Sequence, residues 1–381
     1  MKRNLLSKTL AAVTAFAAVF TPAAATLNAS AETMAERNER FAAEIIEAGV
    51  DLGDISVSDS SQNYGYHIAI GNGTDSVSTE NGSLSLPFLF ENTGKDITFN
   101  VHIFAGGIAQ KYICGNSSTP SETKKFSVKA GQTVDTTLFV ENITLPESAD
   151  KSEEVFLTVI LAPCPEREQS KIYGAGEPWF LPTKLILRTD EAADSKAKIV
   201  KSGDSHEITD REDIRFSIGK DFMDNTRHFA ITPKGSDRHY DAVLPAGEDG
   251  TVDITLNGYT TYKTDGSYRV SFFRNGKRTT FNDGCEYIDV TLEKGMMTAD
   301  DITLEAAPGD YIFCVACPLD NLDMIEIHPV TSTLITVLAP EDMPEELPDD
   351  CYYYPVKLSP EQEQIHYEQL MEALREAGLL E

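Results

Sequence analysis

From residue 54 to 341, hydrophobic and polar residues alternate with a period of two, in short runs separated by turn residues. Asp96-Ile-Thr-Phe-Asn-Val-His-Ile-Phe104, Thr133-Val-Asp-Thr-Thr-Leu-Phe-Val140 and Asp301-Ile-Thr-Leu304 each put apolar side chains at every second position. Successive side chains of a strand point to opposite faces, so each run predicts a strand with one face buried and one wet. Turn residues recur between the runs at short intervals, which predicts stacked antiparallel sheets rather than an α/β fold.

The period changes at both ends. Thr33-Met-Ala-Glu36 reads as a capping box, Met34, Phe41 and Ile45 share a helical face, and Gly49 suits the residue after a helix. These signals predict a helix over about 34–48, within a segment 32–53. Ser359-Pro360 opens a second helix, with Tyr367, Leu370, Met371 and Leu374 on its apolar face and Gly378 at its end. The stretch from Pro340 to Pro348 is acidic and broken by prolines, so 342–381 reads as a linker followed by that helix. Both helices are expected to pack on the sheets.

The strand runs repeat in one order. Glu80-Asn-Gly-Ser-Leu-Ser-Leu86 matches Glu248-Asp-Gly-Thr-Val-Asp-Ile254, and Val101-His-Ile-Phe-Ala-Gly-Gly107 matches Val270-Ser-Phe-Phe-Arg-Asn-Gly276. Asn275-Gly276 is the strongest hairpin signal, since a type I′ turn needs positive φ at both positions. Cys114 then matches Cys285, Phe126–Gly131 matches Val290–Gly295, Cys164 matches Cys317, and Thr183–Leu187 matches Ser332–Thr336. Extra residues in the first copy are assigned to a polar loop from Glu141 to Glu154, and Thr189 to Lys196 is read as the linker between copies. The expected fold is mainly β: two antiparallel sandwich modules, 54–192 and 193–341. In architecture this resembles tandem immunoglobulin-like or fibronectin-like modules, although Tyr311 stands three residues before Cys314 where an immunoglobulin corner has an aromatic two before.

Residues 1–31 read as a signal peptide. Lys2, Arg3 and Lys8 precede an apolar stretch from Leu10 to Phe20, and Ala29-Ser-Ala31 is an A-x-A cleavage site. Export to the extracellular space is the expectation. No segment approaches the roughly 20 apolar residues of a membrane span, so no membrane insertion is expected. The chain carries 61 acidic and 32 basic residues, a net charge of −29, and loss of the three basic residues of the leader takes this to −32. That field repels nucleic acid and anionic lipid and argues against both as partners.

Six cysteines in an exported chain point to disulfides. The repeat predicts Cys114–Cys164 and Cys285–Cys317, leaving Cys314 and Cys351 to tie the C-terminal segment to the second module. Cys314-Val-Ala-Cys317 has redox spacing, but residues three apart on a strand face opposite sides. The seven histidines form neither H-x-H nor H-E-x-x-H, and no cofactor or metal site is expected. Gly203-Asp204-Ser205 resembles the nucleophile block of GDSL-type esterases. That family has an Asp-x-x-His within an α/β fold, whereas Asp323 and His328 are five apart in β surroundings, so the tripeptide reads as a turn. Acidic turns such as Asp249-Gly250, Asp265-Gly266 and Asp320 to Asp323 lack the calcium-loop ligand spacing.

Aromatic residues supply the one constructive hint. Tyr173, Trp179 and Phe180 sit in a Gly/Pro loop of the first copy, and Tyr352 to Tyr354 form a second cluster. Aromatics on the loops of a rigid sandwich stack sugars or anchor proteins, or else turn inward to close the sandwich end. The sequence therefore points to a secreted non-enzymatic binding or surface-assembly protein, with an extracellular protein or glycan as partner. The alternative is an extracellular carbohydrate-active or other hydrolase working through carboxylates.

Overall fold

The computed structural model describes residues 65–115, 118–147, 154–164, 180–210, 212, 216, 227–235, 242–247, 249–262, 264–322 and 327–344. The segments expected as a signal peptide and as terminal helices, and Tyr352 to Tyr354, lie outside the described residues.

The first half runs β1 (Tyr66–Ile70), β2 (Ser76–Ser78), β3 (Leu84–Asn92), β4 (Ile97–Ala105), β5 (Ile108–Ala109) and β6 (Ile113–Cys114). It continues with β7 (Lys124–Val128), β8 (Thr133–Val140), β9 (Thr144–Pro146), β10 (Glu154–Pro163), β11 (Leu181–Arg188) and β12 (Ala193–Ser195). The second half runs β13 (Ile199–Lys201), β14 (His206–Glu207), β15 (Arg227–Pro233), β16 (Val243–Pro245), β17 (Thr251–Thr260) and β18 (Gly266–Arg274). It closes with β19 (Lys277–Thr279), β20 (Tyr287–Leu292), β21 (Met296–Glu305), β22 (Tyr311–Pro318), β23 (Val330–Thr331) and β24 (Ile335–Leu338).

These strands form mostly antiparallel sheets, in keeping with their short connections and half-buried alternation. In the first half, sheet β1-β3-β8-β6 faces sheet β2-β11-β10-β4-β5, with β7 also on β4. Leu86, Phe88, Phe90, Phe99, Val101, Leu138, Val159 and Leu161 from both sheets fill the space between them. In the second half, sheet β14-β21-β17-β15 faces sheet β13-β20-β18-β22-β24-β16 across Ile254, Leu256, Val270, Phe272, Ile302, Ile312 and Cys314.

The halves follow one plan. In each, a long strand pair (β3 with β8, β17 with β21) faces a second pair (β4 with β10, β18 with β22). A parallel partner also lies on each closing strand: β2 on β11, and β16 on β24. Val101 opposes Leu161 and Val270 opposes Ala316, so the matched valines fall on corresponding strands. The cysteine matches do not survive. Pro163 lies opposite Phe99 and Pro318 opposite Tyr268, which makes Ala162, not Cys164, the counterpart of Cys317. Tyr112 bridges Ser121 while Phe281 bridges Cys285, so Cys285 corresponds to Ser121 rather than to Cys114.

The disulfide expectation is corrected with it. Cys114, Cys164, Cys285, Cys314 and Cys317 are all free thiols, and Cys351 lies outside the described residues. Cys285 and Cys314 line the core of the second half, whereas Cys317 points to the other face of its sheet. A sheet therefore separates Cys285 from Cys317.

That other face carries a third core. Phe104, Ile160 and Ala162 from the first half meet Phe273, Tyr311, Phe313, Val315 and Cys317 from the second. The inner sheets of the two halves thus pack back to back, giving four sheet layers with three apolar fillings. The segment expected as a linker is fastened too. Its β12 pairs in parallel with β9, a strand inside the expected polar loop. Asp190 accepts hydrogen bonds from the Thr79 hydroxyl (2.5 Å) and the N–H groups of Asn81 (2.7 Å) and Gly82 (3.1 Å). Those three donors, the Thr79 hydroxyl first, hold its carboxyl down at about 2, so the latch is charged at any ordinary pH.

Candidate functional site

The contact between the inner sheets is the most heavily built feature outside the two sandwich cores. Phe104 and Phe273 occupy corresponding positions on β4 and β18, and their rings meet edge to face at 6.4 Å. Asn100 and Arg269 also correspond. The Asn100 amide donates to the Gly276 carbonyl at 3.1 Å, and the Arg269 guanidinium donates to the Gly106 carbonyl at 3.1 Å. Each half therefore grips the hairpin turn of the other, as subunits do across a two-fold axis. The turns must be glycine there. A Cβ on Gly107 would stand 2.8 Å from the Arg269 Cβ, and one on Gly276 would overlap the Asn100 amide.

A seam of paired charges edges the apolar contact. Arg269, 4% exposed, holds Asp289 in a two-pronged pair at 2.7 and 2.8 Å. Arg278 donates twice to Glu122 at 3.1 Å and once to Glu286 at 2.8 Å, and its guanidinium lies 5.0 Å from the centre of the Tyr287 ring. Tyr287 in turn accepts from the Ala109 N–H at 3.0 Å. Two-pronged guanidinium–carboxylate geometry fixes orientation as well as charge. His102, buried beside Phe273 at 4.8 Å, has its Nδ1 3.3 Å from the Thr123 hydroxyl and its Nε2 without a partner. Burial pushes its pKa down to about 4, so the ring is neutral at pH 7. Arg269 and Arg278 each have counter-charges along this seam, which suits it for holding the two sheets together.

The residues singled out in the sequence fall as follows. Phe180 is half-buried and sits edge to face on Phe313 at 4.9 Å, joining the central core, while Tyr173 and Trp179 lie outside the described residues. Cys314 and Cys317 face opposite sides of β22, as their spacing requires, and burial pushes both thiols up to about 12. Such thiols are not thiolates at neutral pH. Gly203 donates its N–H to Asp300 at 2.8 Å, and the Ser202 hydroxyl donates to the same carboxylate at 2.6 Å, so the stretch leading into Asp204-Ser205 is fastened to β21. His206 contacts Glu212 at 2.8 Å, and Glu212 forms a capping box with Thr209. Burial raises the Glu212 carboxyl, but the Thr209 N–H and His206 outweigh it and leave the group below its ordinary value. Asp249 is also lowered, by the hydroxyl and N–H of Thr251. Among the described residues no group of three or more His, Cys, Asp or Glu side chains is placed to hold a metal, and no helix is long and apolar enough to cross a membrane.

Arg269, Arg278 and Asn100 were missed by sequence reasoning. For Arg269 the signal is a polar residue interrupting an apolar strand, Tyr268-Arg-Val-Ser-Phe-Phe273, whereas Asn100 occupies an ordinary polar position of an alternating run and Arg278 lies in the polar strand Lys277–Thr279.

No protein-family model matches the chain, and no curated protein matches it. Among solved structures, it is similar to a PapD-like domain of human CEP192 at 15% identity, over 37% of this chain and 94% of that one, with a TM-score of 0.18. It is also similar to the transglutaminase of red sea bream at 7% identity, over 79% of this chain and 34% of that one, again with a TM-score of 0.18.

Proposed function

We propose that this is a secreted, non-enzymatic binding or surface-assembly protein, built from two copies of one immunoglobulin-like or fibronectin-like module joined back to back. The observation that carries this reading is the reciprocal contact of Phe104 with Phe273 and of Asn100 and Arg269 with opposite hairpins. Such a joint makes the pair of modules one rigid body and leaves its outer sheets, edges and loop ends for a partner. The basic and apolar leader ending at Ala31 supports export. Several of the chemical candidates are in structural contacts: the Gly203 N–H is bound by Asp300, Glu212 closes a capping box, and the Cys317 thiol is buried.

The test is a capture experiment with the mature protein on extracellular protein and insoluble polysaccharide, run beside a broad hydrolase screen. Specific retention without turnover is expected. Turnover abolished by replacing one acidic residue, with the fold intact, would sink the reading. If polysaccharide is the ligand, Trp179→Ala weakens retention and leaves thermal stability unchanged.

A further inference from the structure

We propose that the open edge of β7 receives an acidic, extended segment of a protein partner, added to the sheet as a parallel strand; this rests on the binding role above. Among the described residues the inner sheet of the first half stops at β7, which pairs only with β4. Its counterpart in the second half does not stop there. Val128 lies opposite Ile97 as Leu292 lies opposite Gly266, so β7 corresponds to β20, and β20 carries β13 alongside in parallel. The fold itself thus contains a filled version of this edge.

The filled edge shows which backbone groups are used. Tyr287 donates its N–H to the Lys198 carbonyl at 3.3 Å, and the Asp289 carbonyl accepts from the Ser202 N–H at 2.8 Å. Tyr287 and Asp289 correspond to Thr123 and Lys125, and Ser127 is next in that row. Both backbone groups of Thr123 are taken by the Ser121 hydroxyl, at 3.2 and 2.8 Å. Lys125 and Ser127 are exposed, and the alternation of a strand turns their N–H and C=O away from β4.

Charge selects the occupant. β13 places Lys201 beside Asp289, opposite signs in register. At the corresponding place β7 has Lys125, so the sign is reversed and an acidic side chain is what fits beside it. Lys124 and Lys129 flank that position, and no acid occurs between Thr123 and Gln132 in a chain of net charge −29. Strand addition to an open edge draws affinity from the main chain and selectivity from side chains at alternate positions. Edge lysines can instead serve only to block pairing, and that role predicts no binding.

The experiment uses the full chain and a fluorescent peptide alternating glutamate and valine, with a lysine–valine peptide as control. The acidic peptide is expected to bind, to slow amide exchange across Lys124–Val128, and to weaken with added salt. Ser127→Pro removes an outward N–H and an exposed 3.2 Å hydroxyl contact with Thr98, leaves the backbone ladder to β4 intact, and is paired with Ser127→Ala, which removes the hydroxyl contact alone. The proline substitution should weaken binding about tenfold or more at unchanged thermal stability, and Lys125→Glu should transfer the preference to the lysine peptide. The proposal is overturned if neither peptide binds, if Ser127→Pro leaves affinity unchanged, or if the β7 amides are already protected in the protein alone, by its own chain or a second copy. Wild-type capture of extracellular material by Ser127→Pro would refute this edge and leave the general binding role standing.

Discussion

The inner and outer sheets are built to different rules. On outer strand β8, Leu138 and Val140 are buried while Thr133, Asp135 and Thr137 are exposed, and outer strand β21 alternates in the same way at Ile302 and Leu304. On inner strand β22 every residue from Tyr311 to Pro318 is buried, and on β10 every residue from Phe156 to Pro163. An outer strand meets water on one face; an inner strand meets an apolar core on both. The difference shows that the halves are not beads on a tether. Separating them would strip Phe104, Ile160, Phe273, Phe313 and Val315 of their cover, each worth about 1.5–3 kcal/mol of burial.

The sharpest way to break the contrast is to empty the central core. Phe273→Ala or Phe313→Ala should cost about 3–5 kcal/mol, whereas Thr137→Ala on an outer face should change stability by about 0.5 kcal/mol or less. Denaturant midpoints at constant slope decide it.

Acid probes the same region. His102 is neutral when folded, with its pKa near 4, and takes up a proton near its ordinary 6.5 when unfolded. Stability is therefore full above about pH 6.5, declines as pH falls to about 4 and then levels, a loss of up to about 3 kcal/mol for this group. His102→Phe should flatten part of that limb; His228, also pushed down to about 4 by burial, adds to it, and the lowered carboxyls of Asp190, Glu212 and Asp249 add a further loss toward its acid end.

Smaller effects follow at the rim. Arg269→Ala leaves Asp289 partly buried without its partner and should cost roughly 2–3 kcal/mol, less than a fully enclosed pair because Asp289 keeps some solvent. Gly107→Ala, at φ +75° and against the Arg269 stem, should cost about 2 kcal/mol, and Gly131→Ala, at the same φ with open space around it, about 1 kcal/mol. Equal costs at the two glycines would mean that the hairpin of the first half is not pressed on the second.

Much of this plan was legible in the residues. The period of two located the strands, and Asn275-Gly276 located a hairpin whose two residues take φ of 51° and 72°. Of the matched runs, Val101 and Val270 lie on strands with the same kind of antiparallel neighbour, opposite Leu161 and Ala316. The cysteine matches slipped, by two positions for Cys164 and by seven for Cys114, because a Cys in each copy is a weak marker unless something forces the positions to coincide. Nothing does, since neither pair is bonded. The central core was the larger omission. Phe156-Leu-Thr-Val-Ile-Leu-Ala162 and Tyr311-Ile-Phe-Cys-Val-Ala-Cys317 are apolar at nearly every position, the mark of a strand buried on both faces. Which sheet supplies the second cover is a long-range fact that no local pattern carries. The cross-half partners of Arg269 and Asn100 were hidden for the same reason, because each lies more than 160 positions away.

The most direct test of the back-to-back arrangement is native-state amide exchange on the Phe273→Ala protein. Phe273 belongs to the second half, yet its ring packs on Phe104 and His102 of the first. If the inner sheets form one cooperative body, the opening free energies of β4 and β10 amides fall together with those of β18 and β22. If β4 and β10 keep their wild-type protection while β18 and β22 lose theirs, the two halves are independent and the account is wrong.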